Sequence, residues 1–137
     1  MKEEGVLLPG FGAVATTFVA GQLSQQDGVE TYVGVDASET DIANLRAKFA
    51  KVEAHRGSIY DLSAIDRTFD VVVCALVLGH VEGLASALAA MAAVLRPGGR
   101  LLLSDFHPDA TRRGWERTFT DGETGRTHAI TQYLHPL

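Results

Sequence analysis

The feature that most constrains the fold is the unbroken apolar run FDVVVCAL at residues 69–76. A strand that is apolar at nearly every position is buried on both faces, which is typical of parallel sheets covered by helices on each side. Shorter runs with strand character occur at 6–8, 31–36 and 51–55, and RLLLSD supplies a fifth at 100–105. We expect 69–76 to lie at the centre of the sheet.

Helical patterns separate these strands. Ser38 followed three residues later by Asp41 is a capping-box pattern, which predicts a helix start. Apolar residues recur at helical spacing in 15–23, 42–49 and 84–95, and the glycines of RPGG after the last of these predict its end. The alternation predicts an α/β fold: a Rossmann-like three-layer αβα sandwich with a mainly parallel sheet of about five strands.

The last part of the chain has a different pattern. WERTFT, DGETG and RTHAITQY read as strand, turn and strand, which predicts an antiparallel β-hairpin. We therefore expect one domain over 1–137, with a Rossmann-like core at 1–108 and an accessory hairpin at 109–137.

Composition excludes several partner classes. The 137 residues carry a net charge of −5 and no basic block, so no nucleic acid is expected as partner. Charged or polar residues, His80 and Glu82, interrupt the most apolar region, so no membrane span is expected. A single cysteine, Cys74, and an N-terminus without a signal-peptide pattern favour the cytoplasm, and no spacing suggests a metal.

Three segments should meet where a parallel sheet binds ligands, beyond the carboxyl ends of its strands. Gly10 and Gly12 follow the first strand, Asp36 ends the second, and CALVLGH closes the fourth. A strand-end acid can accept hydrogen bonds from ribose hydroxyls, and glycines let a ligand lie against backbone. Alternatively, the glycines serve packing and Asp36 favours the helix start. Asp70, at the opposite end of the sheet, is expected to be structural.

The segments YVGVDAS, RGSIYDLS and FDVVVCALVLGHVEGLASALAAMAAVLRPGGRLLLSDFHP together resemble the class I S-adenosylmethionine-dependent methyltransferases. They look most like type 11, the ubiquinone/menaquinone-methyltransferase-like branch. The resemblance implies S-adenosylmethionine as cofactor and methyl transfer to a small-molecule acceptor. It implies cofactor contacts at Gly10, Phe11, Gly12, Asp36, Ala37, Ser58, Ile59, Cys74 and Ala75. It places His80 beside the methyl-transfer site.

Methyl transfer depends mainly on positioning, and it needs a general base only when the acceptor must first lose a proton. His80 and His107, which follow the fourth and fifth strands, are the candidates for that base. Either histidine can instead simply satisfy a turn.

The chain departs from the family at Leu8, where an acid is usual, at Val14, where a third glycine is usual, and at Ser58, where an Asp is frequent and Asp61 lies nearby. These departures favour a second hypothesis, a methyltransferase-like binding or assembly module without catalysis. A nicotinamide-dependent oxidoreductase is a third, disfavoured because the dinucleotide fingerprint lacks its third glycine. The chain is also shorter than the family at both ends, and an unpaired strand edge predicts a homodimer.

Overall fold

Five parallel strands form the main sheet in the computed structural model, which describes residues 4–10, 29–49 and 52–135. The strands are β1 (Glu4–Pro9), β2 (Val29–Asp36), β3 (Val52–Arg56), β4 (Phe69–Ala75) and β5 (Leu95–Ser104). Their order across the sheet is β3-β2-β1-β4-β5, and every neighbouring pair is parallel. The α/β fold class predicted from the sequence is confirmed.

The middle strand is β1, so the prediction that 69–76 lies at the sheet centre is wrong by one position. β1 pairs with β2 on one side and with β4 on the other. After β3 the chain crosses back over β1, and the direction of strand addition reverses there. Such a reversal opens a crevice at the carboxyl ends of the strands on either side of it.

Helices α1 (Glu39–Lys48) and α2 (Leu84–Ala93) cover opposite faces of the sheet. The side chains of β1 alternate: Leu7 belongs to the cluster that contains Met91 of α2, whereas Val6 and Leu8 pack on the other face with Val71 and Val73. That other face is also covered by α1, whose buried Ile42 and Leu45 pack with Ala54 of β3. These two helical layers complete the predicted three-layer sandwich.

The start of α1 and the end of α2 have different causes. The Ser38 hydroxyl accepts a hydrogen bond from the Asp41 N–H, so the predicted cap begins α1. α2 ends at Ala93, and Leu95, predicted as helical, is already paired in β5 with Phe69. The next paired residue is Arg100 opposite Val71, so the RPGG stretch is an irregularity in the pairing of β5 with β4 rather than a helix cap.

The predicted C-terminal hairpin is present. A short helix, α3 (Pro108–Arg112), precedes the antiparallel strands β6 (Thr118–Thr120) and β7 (Thr127–Ala129). Both strands are shorter than predicted. After β7 the chain turns back to the core, where the Tyr133 N–H donates to the Gly79 carbonyl oxygen at 2.8 Å. The division into 1–108 and 109–137 stays a prediction.

The helix predicted over 15–23 lies outside the described residues, as do Phe11, Gly12 and Val14. No helix within the described ranges is long and apolar enough to cross a membrane.

Candidate functional site

A cleft of about 510 Å³ opens where the strand order reverses. Its walls come from the carboxyl ends of β1, β2, β3 and β4 and the residues that follow them, together with Arg117, so five chain segments converge on one volume. The lining residues are Gly10, Val35, Asp36, Ala37, Asp41, Gly57, Ile59, Ala75, Leu76, Val77, His80, Val81 and Arg117.

Gly10 forms the bend that carries the chain out of β1. Its φ is +63°, a left-handed conformation that residues with a Cβ rarely adopt. A Cβ at this position would lie 2.5 Å from Cγ1 of Val77, and the Gly10 N–H donates to the Val35 carbonyl oxygen at 2.7 Å. Backbone conformation and packing thus explain the glycine, and its bare backbone lines the cleft as a consequence.

Asp36 lies half-buried at the tip of β2. Its Oδ1 accepts a hydrogen bond from the Ser38 N–H at 2.8 Å. Burial raises the pKa of this carboxyl above its ordinary value, against that hydrogen bond, and the nearby charge of Asp41 raises it further. Within the described ranges, no side chain donates a hydrogen bond to it. A carboxylate in this position is suited to accept hydrogen bonds from ligand hydroxyls.

Leu76 follows β4 in a strained conformation, with φ at +59°. The Leu76 N–H donates to the Ser104 carbonyl oxygen at 2.7 Å, which ties this bend to the end of β5. Strained backbone of this kind concentrates at functional sites, where surrounding contacts hold it in place. Leucine gives no sequence signal for such a bend, so sequence reasoning missed it.

Two of the predicted cofactor contacts, Cys74 and Ser58, do not line the cleft, and neither does Asp61. Cys74 is fully buried, and burial raises the pKa of its thiol to about 12, which makes it an inert thiol. The Ser58 hydroxyl accepts from the Tyr60 N–H in a local turn. Asp61 lines a different cleft, and the N–H and hydroxyl of Ser63 hold its pKa below the ordinary value. The neighbouring residues Ala75 and Ile59 do line it.

His80 and Arg117 close the cleft at the side of the C-terminal segment. Arg117 Nη1 donates to His80 Nε2 at 2.8 Å and to the Leu76 carbonyl oxygen at 3.3 Å. A guanidinium only donates, so Nε2 is the acceptor and the neutral His80 ring carries its proton on Nδ1. Arg117 belongs to no sequence motif, and only the folded structure brings it here.

His107 lies in a separate cleft of about 330 Å³, between the end of β5, α3 and the segment 132–135. Its Nδ1 accepts from the Asp109 N–H at 3.2 Å and so caps α3. The structure therefore does not bring the two candidate histidines to one volume. Asp105 lines this second cleft, and its Oδ1 accepts the N–H of Phe106.

Metal ligation has no candidate in the part of the chain that the structure describes: no group of three or more His, Cys, Asp or Glu residues there could hold an ion.

Comparison with known proteins identifies the family. The family model described as "Methyltransferase domain" matches residues 9–103, well over half of the chain. The match runs from the last residue of β1 to Leu103 in β5, and it includes most of the residues that line the cleft. The chain belongs to this methyltransferase domain family.

Two mycobacterial relatives, both named as probable S-adenosylmethionine-dependent methyltransferases, resemble the chain. The protein from Mycolicibacterium smegmatis is 33% identical over 78 residues, which is 57% of this chain and 30% of the relative. The protein from Mycobacterium tuberculosis is 32% identical over 95 residues, 69% of this chain and 31% of the relative. The chain thus spans about a third of the length of these relatives.

Solved structures agree on the fold. The plantazolicin methyltransferase BpumL, crystallised with SAH and a pentazolic analog, superposes with a TM-score of 0.69 at 19% identity, over 83% of this chain and 43% of that one. DesVI from Streptomyces venezuelae gives a TM-score of 0.68 at 23% identity, over 93% of this chain and 54% of that one. At these identities the likeness concerns the fold.

Proposed function

We propose that this domain binds S-adenosylmethionine in the cleft at the strand-order reversal and transfers its methyl group to a small-molecule acceptor. One observation carries the proposal: the carboxyl ends of β1, β2 and β4 converge on a single cleft with a half-buried carboxylate, Asp36, on its wall. Membership of the methyltransferase family and the names of the mycobacterial relatives support it.

The residues of the cleft fit such a cofactor. The Asp36 carboxylate would accept hydrogen bonds from the ribose hydroxyls, because it has an accepting oxygen to spare and no described side chain competes for it. Ala37 would lie beside the ribose, and Ile59 offers an apolar surface to the adenine. Gly10 and Ala75 would present backbone to the methionine portion, with Phe11, Gly12, Ser58 and Cys74 proposed as further contacts or supports.

When bound, S-adenosylmethionine supplies a methyl group activated by its sulfonium. The chain's own contribution is then to orient the acceptor and exclude water. We propose His80 as the residue that borders the reacting centre. It can accept a proton at Nε2 only after the hydrogen bond from Arg117 is broken, because Nδ1 is already protonated. His107, which caps α3 in the second cleft, is the alternative base.

Calorimetric titration tests this proposal. S-adenosylmethionine and S-adenosylhomocysteine should bind the folded domain, while NADH, the cofactor of the oxidoreductase hypothesis, should not. Absence of binding by either adenosyl compound to a folded sample, shown by its circular dichroism, would contradict the proposal.

A second candidate function is a binding or assembly module without catalysis. Leu8 favours it, because this side chain of β1 is 4% exposed and packs in the hydrophobic core, at a position where the family usually has an acid. If the departures at Leu8, Val14 and Ser58 remove cofactor binding, the titration will show a well-folded domain that binds neither compound.

We also propose that the domain forms a homodimer through β5. Among the described strands, β5 pairs with β4 alone, and Leu102 and Leu103 on it are 51% and 43% exposed. An unpaired edge strand with exposed leucines favours association with another chain. The accessory hairpin at 109–137 would extend toward the neighbouring protomer.

The expected location is the cytoplasm, with no nucleic-acid or membrane partner. The free, fully buried thiol of Cys74 and the net charge of −5 support this proposal.

A further inference from the structure

Arg117 is the one half-buried residue in an otherwise exposed stretch, 112–120, between α3 and the end of β6. Its side chain leaves this stretch and reaches the bend after β4, where Nη1 donates to the Leu76 carbonyl oxygen and to His80. The guanidinium carbon also lies 5.0 Å from the centroid of the Phe106 ring. Three contacts therefore fix a long, flexible side chain on the wall of the cleft.

All three contacts of Arg117 are with uncharged groups: a carbonyl, an imidazole and an aromatic ring. No carboxylate of the described residues lies within ion-pair distance of it. Four other arginines of the same structure do pair with acids. Those pairs are Arg56 with Glu39, Arg67 with Glu53, Arg96 with Asp70, and Arg112 with Asp109.

The positive charge of Arg117 is thus held at the cleft without a counter-charge from the described part of the chain. Its two hydrogen bonds use Nη1 only, which leaves Nε and Nη2 without a partner among those residues. These remaining donors form the edge of a guanidinium that matches the two oxygens of a carboxylate. A half-buried cation that is fixed, uncompensated and supplied with spare donors is an arrangement suited to bind an anion.

We propose that Arg117 binds the carboxylate of a ligand in this cleft. The proposal rests on the proposed function, which makes the cleft a cofactor site. The carboxylate has two possible sources: the amino-acid end of the cofactor, or an acceptor that itself carries a carboxylate. In the second case the substrate class is narrowed to anionic small molecules, and the Phe106 ring under the guanidinium also lines the second cleft, toward which such an acceptor would extend.

Calorimetry with two compounds separates the sources. S-adenosylhomocysteine carries the amino-acid carboxylate, and 5′-methylthioadenosine is a similar nucleoside thioether without it. If the cofactor is the source, Arg117→Gln weakens S-adenosylhomocysteine binding by about tenfold or more and leaves methylthioadenosine binding unchanged. Arg117→Lys keeps the positive charge but lacks the paired N–H donors of a guanidinium, so it should show a smaller loss of S-adenosylhomocysteine affinity. Arg113→Gln, an exposed arginine of the same stretch, is the control for net charge and should change neither affinity.

Benzoate, as a probe carboxylate, tests the other source. If the acceptor supplies the anion, both nucleoside affinities are unchanged in Arg117→Gln. Benzoate should then shift the Arg117 Nε–H signal in the nuclear magnetic resonance spectrum of the wild-type protein saturated with S-adenosylhomocysteine. The backbone shifts that benzoate causes around Leu76 and His80 should be lost in the variant.

Two results would overturn the proposal. One is that Arg117→Gln binds S-adenosylhomocysteine with the wild-type affinity and also shows the wild-type response to benzoate. The other is an equal loss of affinity for both nucleosides, which would mark Arg117 as a support for the shape of the cleft. If the wild-type protein binds neither nucleoside, the proposed function fails, and the benzoate response of the free protein still decides the role of Arg117.

Discussion

At the scale of single residues, Gly10 shows why a glycine next to a ligand cleft need not be there for the ligand. Its positive φ and the 2.5 Å approach that a Cβ would make to Val77 are both constraints from the protein itself. The left-handed conformation costs a residue with a Cβ about 1–2 kcal/mol. Forced packing adds about 1–3 kcal/mol.

Gly10→Ala should therefore lower the free energy of unfolding by the sum of both effects. Gly98→Ala is the matched control, since Gly98 has φ +81° and no heavy atom within 4 Å of its Cβ position. In Gly98→Ala the free energy of unfolding should fall only by the cost of the left-handed conformation. Urea unfolding measures the free energy of unfolding of both variants. Equal losses would show that the Val77 side chain moves away from the new Cβ at no energetic cost. Val77→Ala should partly rescue Gly10→Ala.

Asp36 is a residue where folding and binding oppose each other. Burial raises the pKa of Asp36, so the ionised carboxylate destabilises the folded state. The stability that the protonated carboxyl contributes is therefore present at low pH and is lost as the pH rises through the folded-state pKa. Asp36→Asn should leave the domain at least as stable near neutral pH, because it removes a buried charge and retains an oxygen for the Ser38 N–H. Thermal unfolding at pH 7 checks this, and a clear fall in Tm would contradict it.

Ligand binding should have the reverse dependence on pH. Ribose hydroxyls donate to the ionised form, so the affinity for S-adenosylhomocysteine should fall as pH is lowered through the raised pKa of Asp36. Asp36→Ala should reduce the affinity by at least about a hundredfold through the loss of charge-assisted hydrogen bonds. Titrations between pH 4 and 7 measure the dependence. A flat profile, or an unchanged affinity in the variant, would remove Asp36 from the ribose site.

At the scale of elements, Asp70 joins three strands at the end of the sheet opposite to the cleft. Its Oδ2 accepts from the Gly5 N–H of β1 at 3.0 Å and from Arg96 Nη1 of β5 at 2.9 Å. The expectation that Asp70 is structural agrees with these contacts. They also hold Arg96, at the start of the irregular stretch of β5, against the start of β4.

Asp70→Asn should lower the free energy of unfolding by about 1–3 kcal/mol, because two hydrogen bonds to a charged acceptor are weakened. The affinity for S-adenosylhomocysteine should stay unchanged. Chemical denaturation and calorimetry measure the two quantities, and Glu82→Gln, an exposed acid with no described side-chain partner, is the control. A loss of affinity without a loss of stability would show that this end of the sheet is coupled to the cleft.

The elements were largely predictable because their signals are local. The Ser38 cap, the apolar run of β4 and the hairpin turn each follow from a few neighbouring residues. The prediction that Leu95 is helical is wrong: its spacing from Met91 suits a helical face, but its pairing with Phe69 makes it part of β5. Strand pairing is a tertiary interaction and leaves no trace in local periodicity.

The candidate site was predictable only in part, for the same reason. Gly10, Asp36 and Ala75 follow strands and could be placed at one edge from topology alone. Arg117 reaches the cleft from a segment 41 residues after Leu76 in the sequence, and no rule of spacing connects them. His80 and His107 both follow strands, yet they line different clefts because the chain bends differently after β4 and after β5.

At the scale of the whole molecule, the exposed edge of β5 is the surface through which we propose that the homodimer forms. Leu103→Lys should weaken a homodimer formed through this edge, because the charge would be buried at the interface. Light scattering after size-exclusion chromatography measures the mass at micromolar concentration. We expect a dimer for the wild-type chain and for Ala43→Lys, an exposed position on α1, and a monomer for Leu103→Lys. A monomeric wild-type chain would contradict the proposed assembly.

A crystal structure with S-adenosylhomocysteine would show whether the cleft between β1, β2 and β4 holds S-adenosylmethionine, as we propose. We predict ribose hydroxyls within about 2.5–3.0 Å of the Asp36 carboxylate oxygens and the amino-acid end beside Ala75 and Leu76. A complex in which the nucleoside lies in the second cleft, beside His107, or in which Asp36 contacts no ribose hydroxyl, would contradict it.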